Sequence, residues 1–164
     1  MESLRTCRKE MIKTLSCFDI AEYFIKLANS TGSFISNLKL QKLVYYAQAW
    51  HLALKNEPLF SEDFEAWVHG PVIPKLYEKY HSFGIRPIEQ EVEPDLPDEV
   101  REFLEEVSLE YFALDAYELE RMTRIEDPWK IARENLPPDV ASNSIIKQEW
   151  IKEYFTKRAE EKED

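Results

Sequence analysis

The stretch from Ser36 to Lys55 is apolar around most of a helical circumference, and this constrains the fold more than any other part of the sequence. On a wheel of about 100° per residue, two neighbouring apolar arcs leave only a narrow polar stripe. The arcs hold Leu40, Leu43, Ala47, Trp50 and Leu54, and Leu38, Tyr45, Tyr46, Ala49, Leu52 and Ala53; the stripe holds Asn37, Gln41, Gln48, His51 and Lys55. Such a helix belongs at the centre of a fold, surrounded by other elements, with His51 at its surface.

Other segments have the spacing of amphipathic helices. Ser16 and Asp19 form a capping box before a helix that Gly32 ends, and Pro74 suits the first turn of a helix to about Tyr80, before Gly84. Apolar residues also recur at helical spacing over 100–114, about 115–123, a short run from 127, and 145–158.

Two short segments favour β-structure. Residues 65–68 predict a strand, and residues 85–92 predict an edge strand that pairs with it. We therefore expect a mainly α (α+β) fold: a compact helical domain around a buried central helix, with a short β hairpin or two-stranded element.

Composition agrees with one helical domain and limits the partners. The 164 residues correspond to about one domain, 44% are hydrophobic, and three glycines are too few for a loop-rich all-β fold. The net charge is −11: residues 1–90 have 11 basic and 10 acidic groups, a net of +1, and residues 91–164 have 10 and 22, a net of −12. Such an acidic half would repel nucleic acid and anionic lipid and attract a basic partner, although most of these carboxylates are more simply interpreted as parts of solvated helix faces.

The sequence also bears on compartment and surface charge. The two cysteines, Cys7 and Cys17, suggest no disulfide framework, and no apolar stretch approaches the ~20 residues of a membrane span, so we expect a cytoplasmic protein. A small basic patch of Lys39, Lys42, Lys75 and Lys79 is conceivable, although lysines so dispersed are more often parts of solvated helix faces.

The residues that could support catalysis or bind a metal are scattered. Cys7, Cys17, His51, His69 and His81 lack the paired spacing of a metal site. Cys17 is placed at a helix N-terminus, where the pKa of a thiol can be lowered, but a small residue beside a cap is the simpler interpretation. No glycine-rich phosphate loop is present. We therefore expect no catalysis and no cofactor.

The segment from Glu65 to Tyr77 is the most informative local feature. Gly70 and Pro71 predict a turn, and Trp67 and Tyr77 flank it with the large aromatic side chains that dominate protein interfaces. The alternative is that both rings belong to the core, and for Trp67 burial in the core is the more common situation.

These residues occur within a set of motifs that resembles a known family. The Leu40–Trp50 segment, LQKLVYYAQAW, is similar to a helix of the Panacea domain, the SocA-like antitoxin family. The family's acidic-x-Trp-x-x-Gly-Pro-Val segment is matched by Glu65, Trp67, Gly70, Pro71 and Val72, with Tyr77 following; a third block is matched by Thr123, Pro128 and Trp129, and the closing helix by Ile151, Tyr154 and Phe155. Together the blocks cover about residues 16–156. Arg124 stands where the family usually has His, so any role of that imidazole does not carry over.

The resemblance implies an antitoxin that binds and neutralises a cognate protein toxin, often encoded beside it, and that can act as a proteolytic adaptor for the ClpXP protease. It divides the chain into an N-terminal extension (1–15), of which residues 1–10 precede the family pattern, the Panacea domain (16–158) and a charged tail (159–164). The family-motif and candidate partner-binding residues are Gln41, Lys42, Tyr46, Glu65, Trp67, His69, Gly70, Pro71, Val72, Tyr77, Thr123, Pro128 and Trp129.

Two alternatives come from other functional classes. One is a phage or mobile-element interaction protein, such as an acidic DNA mimic, whose binding would depend steeply on salt. The other is an unrecognised hydrolase with His69 or Cys17 beside a carboxylate.

Overall fold

The structure is a computed structural model that describes residues 14–163. Within that range it has seven α-helices and a small sheet. The elements in chain order are α1 (Cys17–Thr31), α2 (Asn37–Lys55), β1 (Phe64–Trp67), β2 (Gly70–Val72), α3 (Pro74–Lys79), a 3-10 turn (His81–Phe83), α4 (Asp98–Tyr111), α5 (Ala116–Ile125), α6 (Asp127–Arg133), β3 (Ile145–Ile146) and α7 (Gln148–Glu163). The predicted fold class, mainly α with some β, is confirmed.

The first helix has the predicted caps. The Ser16 side chain accepts a hydrogen bond from the Asp19 backbone N–H, and the Asp19 carboxylate accepts one from the Ser16 backbone N–H at 2.9 Å. Gly32 ends the helix in the left-handed conformation with φ +69°, which glycine adopts without strain because it has no Cβ.

Helix α2 is central, as its all-round apolar pattern predicts. It packs against α1, α3, α4, α5, α7 and β2, and every residue from Leu40 to Trp50 has less than a tenth of its surface exposed. The ring of Tyr45 makes edge-to-face contacts with Phe64 of β1 and Phe155 of α7. These aromatic contacts join the sheet and the last helix to α2 in one core.

The sheet is antiparallel with strand order β2-β1-β3. Ala66 lies opposite Pro71 in the β1–β2 hairpin, and Phe64 lies opposite Ile146 on the other side. The predicted edge strand over 85–92 is wrong: both sides of β1 are occupied by β2 and β3, and the Ile88 N–H donates instead to the carbonyl of Ile35 at 2.8 Å. Pro87 in the same segment has no N–H to offer a strand.

The start of the last helix also differs from the prediction. Ile145 and Ile146 form β3, and the pairing is extended by a hydrogen bond from the Ala66 N–H to the Ser144 carbonyl at 2.8 Å. Two adjacent β-branched residues suit a strand better than a helix start. Helix α7 begins at Gln148 and runs to Glu163. No helix in residues 14–163 combines the length and the apolar character needed to cross a bilayer.

Candidate functional site

Three residues of the polar stripe of α2 are buried, and two of them hold the segment that follows the hairpin. The Asn37 side-chain amide donates to the Tyr77 carbonyl at 2.9 Å, and Gln41 accepts from the Ile73 backbone N–H at 3.1 Å while its own amide donates to Asn37. Gln48 likewise accepts from the backbone N–H of Leu59. Three of the five stripe residues are thus internal, because each satisfies backbone groups that would otherwise be buried without a partner.

Lys42 is a buried lysine and does not form part of a solvated basic patch. Its side chain is 1% exposed, and Nζ donates to the Pro71 carbonyl at 3.0 Å. Burial lowers the pKa of Lys42 from 10.5 to about 7, and the nearby Glu120 opposes this shift. The other three lysines of the conceivable basic patch contact different groups. Lys39 donates to the Phe112 carbonyl, Lys75 lies 3.8 Å from Glu62, and the Lys79 ammonium lies 5.0 Å from the centre of the Phe18 ring.

Gly70 lies against Lys42 and Thr123, so three blocks of the family motif meet at one point. Its φ is +101°, and a Cβ there would stand 2.6 Å from the Thr123 Oγ1 and 2.9 Å from the Lys42 Cε. Thr123 is fixed because its hydroxyl donates to the Glu120 carbonyl at 2.8 Å. The position therefore requires glycine for conformation and for space.

The aromatic residues of the hairpin are divided between core and surface. Trp129 is buried and its indole N–H donates to the Trp67 carbonyl at 2.8 Å, while the adjacent Pro128 opens α6. Trp67 itself is half-buried: its indole N–H donates to Glu65 at 2.8 Å, and its ring contacts Tyr77 at 5.2 Å between centroids. The side chain of Trp67 is thus neither fully in the core nor fully on the surface, the two positions considered from the sequence.

His69 occupies the two-residue turn of the hairpin and is exposed. Its Nδ1 contacts the carboxylate of Glu120, the same residue whose charge acts on Lys42. The motif residues that reach the surface are therefore Glu65, Trp67, His69 and Tyr77, which we call the hairpin rim. The remaining nine predicted site residues, including Pro71 and Val72, are buried.

Tyr46 belongs to a second buried polar cluster. Its hydroxyl donates to Glu126 Oε1 at 3.0 Å, and Arg158 donates to the other oxygen at 2.8 Å. Burial raises the pKa of Glu126 to about 7, although the hydrogen bond from Tyr46 and the charge of Arg158 favour the carboxylate. The ring of Tyr46 stacks on Tyr111 at 4.1 Å, and Trp50 donates to the Tyr111 hydroxyl at 2.7 Å.

Three of the polar anchors were not found from the sequence: Glu126, Arg158 and Arg133. The buried Arg133 donates to the carbonyls of Ala66, Pro137 and Val140 and lies over the Trp129 ring. Its partners are backbone atoms of distant segments, and nothing in the amino-acid pattern marks such a residue. Glu126, directly before the Asp-Pro-Trp motif, offered only its position as a signal.

Of the residues considered for reactive chemistry, His69 lies beside the Glu120 carboxylate on the exposed hairpin turn, whereas Cys17 and His51 lie elsewhere in the fold. Burial, together with the neighbouring charge of Glu62, raises the pKa of the Cys17 thiol to about 12, so the lowered pKa considered from sequence is wrong. His51 shares a hydrogen bond with the Glu57 carbonyl at 2.7 Å. Across residues 14–163, no group of three or more His, Cys, Asp or Glu side chains is placed to hold a metal ion.

These contacts define the class of the protein: it is a mainly α domain with a clamped hairpin. The β1–β2 hairpin is held between the central helix α2 and the α5–α6 pair by hydrogen bonds from buried polar side chains. A family model described as "Antitoxin SocA-like, Panacea domain" matches residues 40–130, which is 91 of the 164 residues. The chain belongs to this family, and the resemblance seen in the motifs is confirmed. Membership supports an antitoxin role and points to a regulator.

The chain was also compared with individual known proteins and with solved structures. Antitoxin SocA of Caulobacter vibrioides (strain NA1000 / CB15N) is 48% identical over 50 residues, which are 30% of this chain and 27% of the relative. The match thus spans about a quarter of that relative's length. No solved structure matches the chain.

Proposed function

We propose that this chain is an antitoxin that binds a cognate protein toxin in the cytoplasm and neutralises it without catalysis. The observation that carries the proposal is the family match over residues 40–130, the region that contains the clamped hairpin. The net charge of −11 supports a basic protein partner, because opposite charge accelerates encounter and favours the right partner over acidic ones.

The hairpin rim is the place where the family motif becomes accessible to a partner. Trp67 and Tyr77 present aromatic surface there, and Glu65 and His69 add polar groups, a composition found in interface hot spots. Trp129 and Arg133 hold the backbone of β1 from behind, through the Trp67 and Ala66 carbonyls. We infer that the rim is presented rigidly and forms one contact with the toxin.

The family resemblance adds a proteolytic arm, in which the antitoxin delivers its toxin to the ClpXP protease. An adaptor shortens the lifetime of its cargo, whereas simple inhibition leaves it unchanged. We propose to separate the two by following the toxin's half-life after translation is stopped, with and without this chain and with and without ClpXP. A half-life that does not respond to the chain would leave direct inhibition alone.

Growth tests the function directly. The protein encoded beside this chain is induced alone and together with the chain, and we expect growth to stop in the first case and continue in the second. Trp67→Ala should lose protection, while Phe34→Ala, which removes an aromatic ring that is 72% exposed and lies outside the motif, should keep it. Circular dichroism checks that both variants fold. Growth arrest that the wild-type chain does not relieve would overturn the proposal.

A further inference from the structure

A second accessible surface lies away from the motif residues. A groove of about 400 Å³ opens between the C-terminal part of α2, helix α4 and the end of α7. Its floor includes the buried rings of Trp50 and Phe103, and the Trp50 indole is fixed by its hydrogen bond to Tyr111. Leu54 and Leu109 line its sides with 55% and 86% of their surface exposed. The groove therefore offers apolar surface that nothing within residues 14–163 covers.

One wall of this groove is strongly acidic. Helix α4 carries six carboxylates and a single arginine, Arg101, which contacts Asp98. Glu102, Glu106 and Glu110 recur every four residues, a spacing at which like charges destabilise a helix. None of these three glutamates lies within 4 Å of a cationic nitrogen in the part of the chain that the structure describes. Glu106 and Glu110 line the groove itself.

The opposite wall has a different charge. Lys162 lines the groove from α7, and its ammonium lies 5.2 Å from the centre of the Trp50 ring. A ligand that fits both walls carries its positive groups on the α4 side and apolar groups over the floor. A second copy of this chain would bring further negative charge against the glutamate row, and nucleic acid would be repelled by it.

We propose that the groove receives a basic amphipathic helix of the toxin, as a second contact beside the hairpin rim; this rests on the proposed function. The apolar side chains of such a helix, recurring at i, i+3 and i+7, fill the groove over Trp50 and Leu54, and its lysines or arginines pair with the glutamate row. Binding relieves the repulsion along α4, so the charge that destabilises the free helix contributes to affinity and partner choice in the complex.

A designed peptide tests the chemistry of the groove without the toxin. The probe is a labelled Leu/Lys peptide of about four helical turns with its leucines on one face, and a peptide of identical composition with scattered leucines is its control. We expect Glu106→Lys with Glu110→Lys to weaken binding about tenfold or more. The same charge change at Glu89 and Glu91, exposed residues that do not line the groove, should weaken it about twofold at most.

Two results would overturn the groove assignment: equal weakening by the two pairs of substitutions, or equal affinity for the two peptides. Either means that binding follows net charge alone. Leu109→Ser, which removes an exposed apolar side chain and no charge, should weaken the amphipathic peptide and not the scattered one. Because Leu109 is exposed, this variant should fold like the wild type, which circular dichroism checks.

The growth test then separates this inference from the proposed function. If the wild-type chain protects cells and the folded double variant Glu106→Lys with Glu110→Lys does not, the groove contacts the toxin. If both protect equally, the groove proposal fails and the antitoxin function stands. If the wild-type chain itself does not protect, the proposed function fails, and a toxin helix as the occupant fails with it.

Discussion

Replacing Gly70 by alanine tests whether the meeting point of three motif blocks is as tightly packed as its geometry indicates. The φ of +101° disfavours any residue with a Cβ, at a cost of about 1–2 kcal/mol. The Cβ would also stand 2.6 Å from the Thr123 Oγ1, and inserting a methyl group into a packed site costs about 1–3 kcal/mol. The two contributions sum to about 2–5 kcal/mol, a large part of the stability of a typical domain.

Gly32 provides a matched control for the backbone contribution. It also has a positive φ, +69°, but a Cβ there would meet nothing within 4 Å. Gly32→Ala should therefore cost only about 1 kcal/mol, measured like Gly70→Ala by urea unfolding followed by circular dichroism.

The steric contribution can be measured separately by combining Gly70→Ala with Thr123→Ala. The double variant removes the Oγ1 that the new Cβ meets, so it should be about 1–2 kcal/mol more stable than the sum of the single effects predicts. The reasoning is refuted if Gly70→Ala costs no more than Gly32→Ala, or if the two substitutions at the contact are additive.

Three further predictions concern the buried polar groups. Between about pH 7 and 10.5, Lys42 binds fewer protons in the folded state than in the unfolded state, so the free energy of unfolding should rise with pH by up to about 1.4 kcal/mol per pH unit. Lys42→Met should flatten this slope in urea titrations. An unchanged slope would contradict the lowered pKa of Lys42. The contribution of Glu126 has the opposite sign, because the folded state keeps the proton on Glu126 between about pH 4.5 and 7. The free energy of unfolding should therefore fall as pH rises through this range, and Glu126→Gln should remove that fall. A fall of the same size in the variant would disprove the raised pKa of Glu126. Trp129→Phe leaves the partly buried Trp67 carbonyl without its donor and should cost about 1–3 kcal/mol in the same unfolding assay. A loss below about 0.5 kcal/mol would show that this hydrogen bond contributes little to stability.

Where local chemistry decides a structure, the sequence was sufficient. The capping box at Ser16, the left-handed Gly32 and the all-round apolar pattern of α2 each depend on residues within one or two turns, and each prediction is confirmed. The motif blocks also identified the family, because their order along the chain is more specific than any single block.

Where distant segments compete, the sequence was misleading. A strand prediction for 85–92 could not include the fact that β2 and β3 already occupy both sides of β1. The polar stripe of α2 and Lys42 look like solvated side chains until the carbonyls of Pro71 and Tyr77 are placed against them. Polar residues whose partners are backbone atoms far along the chain carry no local signature.

In the candidate site, too, features set by local sequence were predictable and features set by distant contacts were not. The motif named Gly70, Lys42 and Thr123 without indicating that they touch, and the structure places Gly70 against the other two. Most motif residues are buried, and only the hairpin rim is accessible. Glu126 and Arg133, which hold the surrounding elements together, were not found because each acts through contacts that the fold alone creates.

Direct binding to the protein encoded beside this chain tests the central claim most directly. Both proteins are purified and titrated by isothermal calorimetry at low and high salt, with Trp67→Ala and Phe34→Ala as test and control variants. The account predicts a saturable complex that weakens with salt, that Trp67→Ala disrupts and that Phe34→Ala leaves intact. If the neighbouring protein arrests growth and yet no heat of binding to the folded wild-type chain is detected at either salt concentration, neutralisation by direct contact is contradicted.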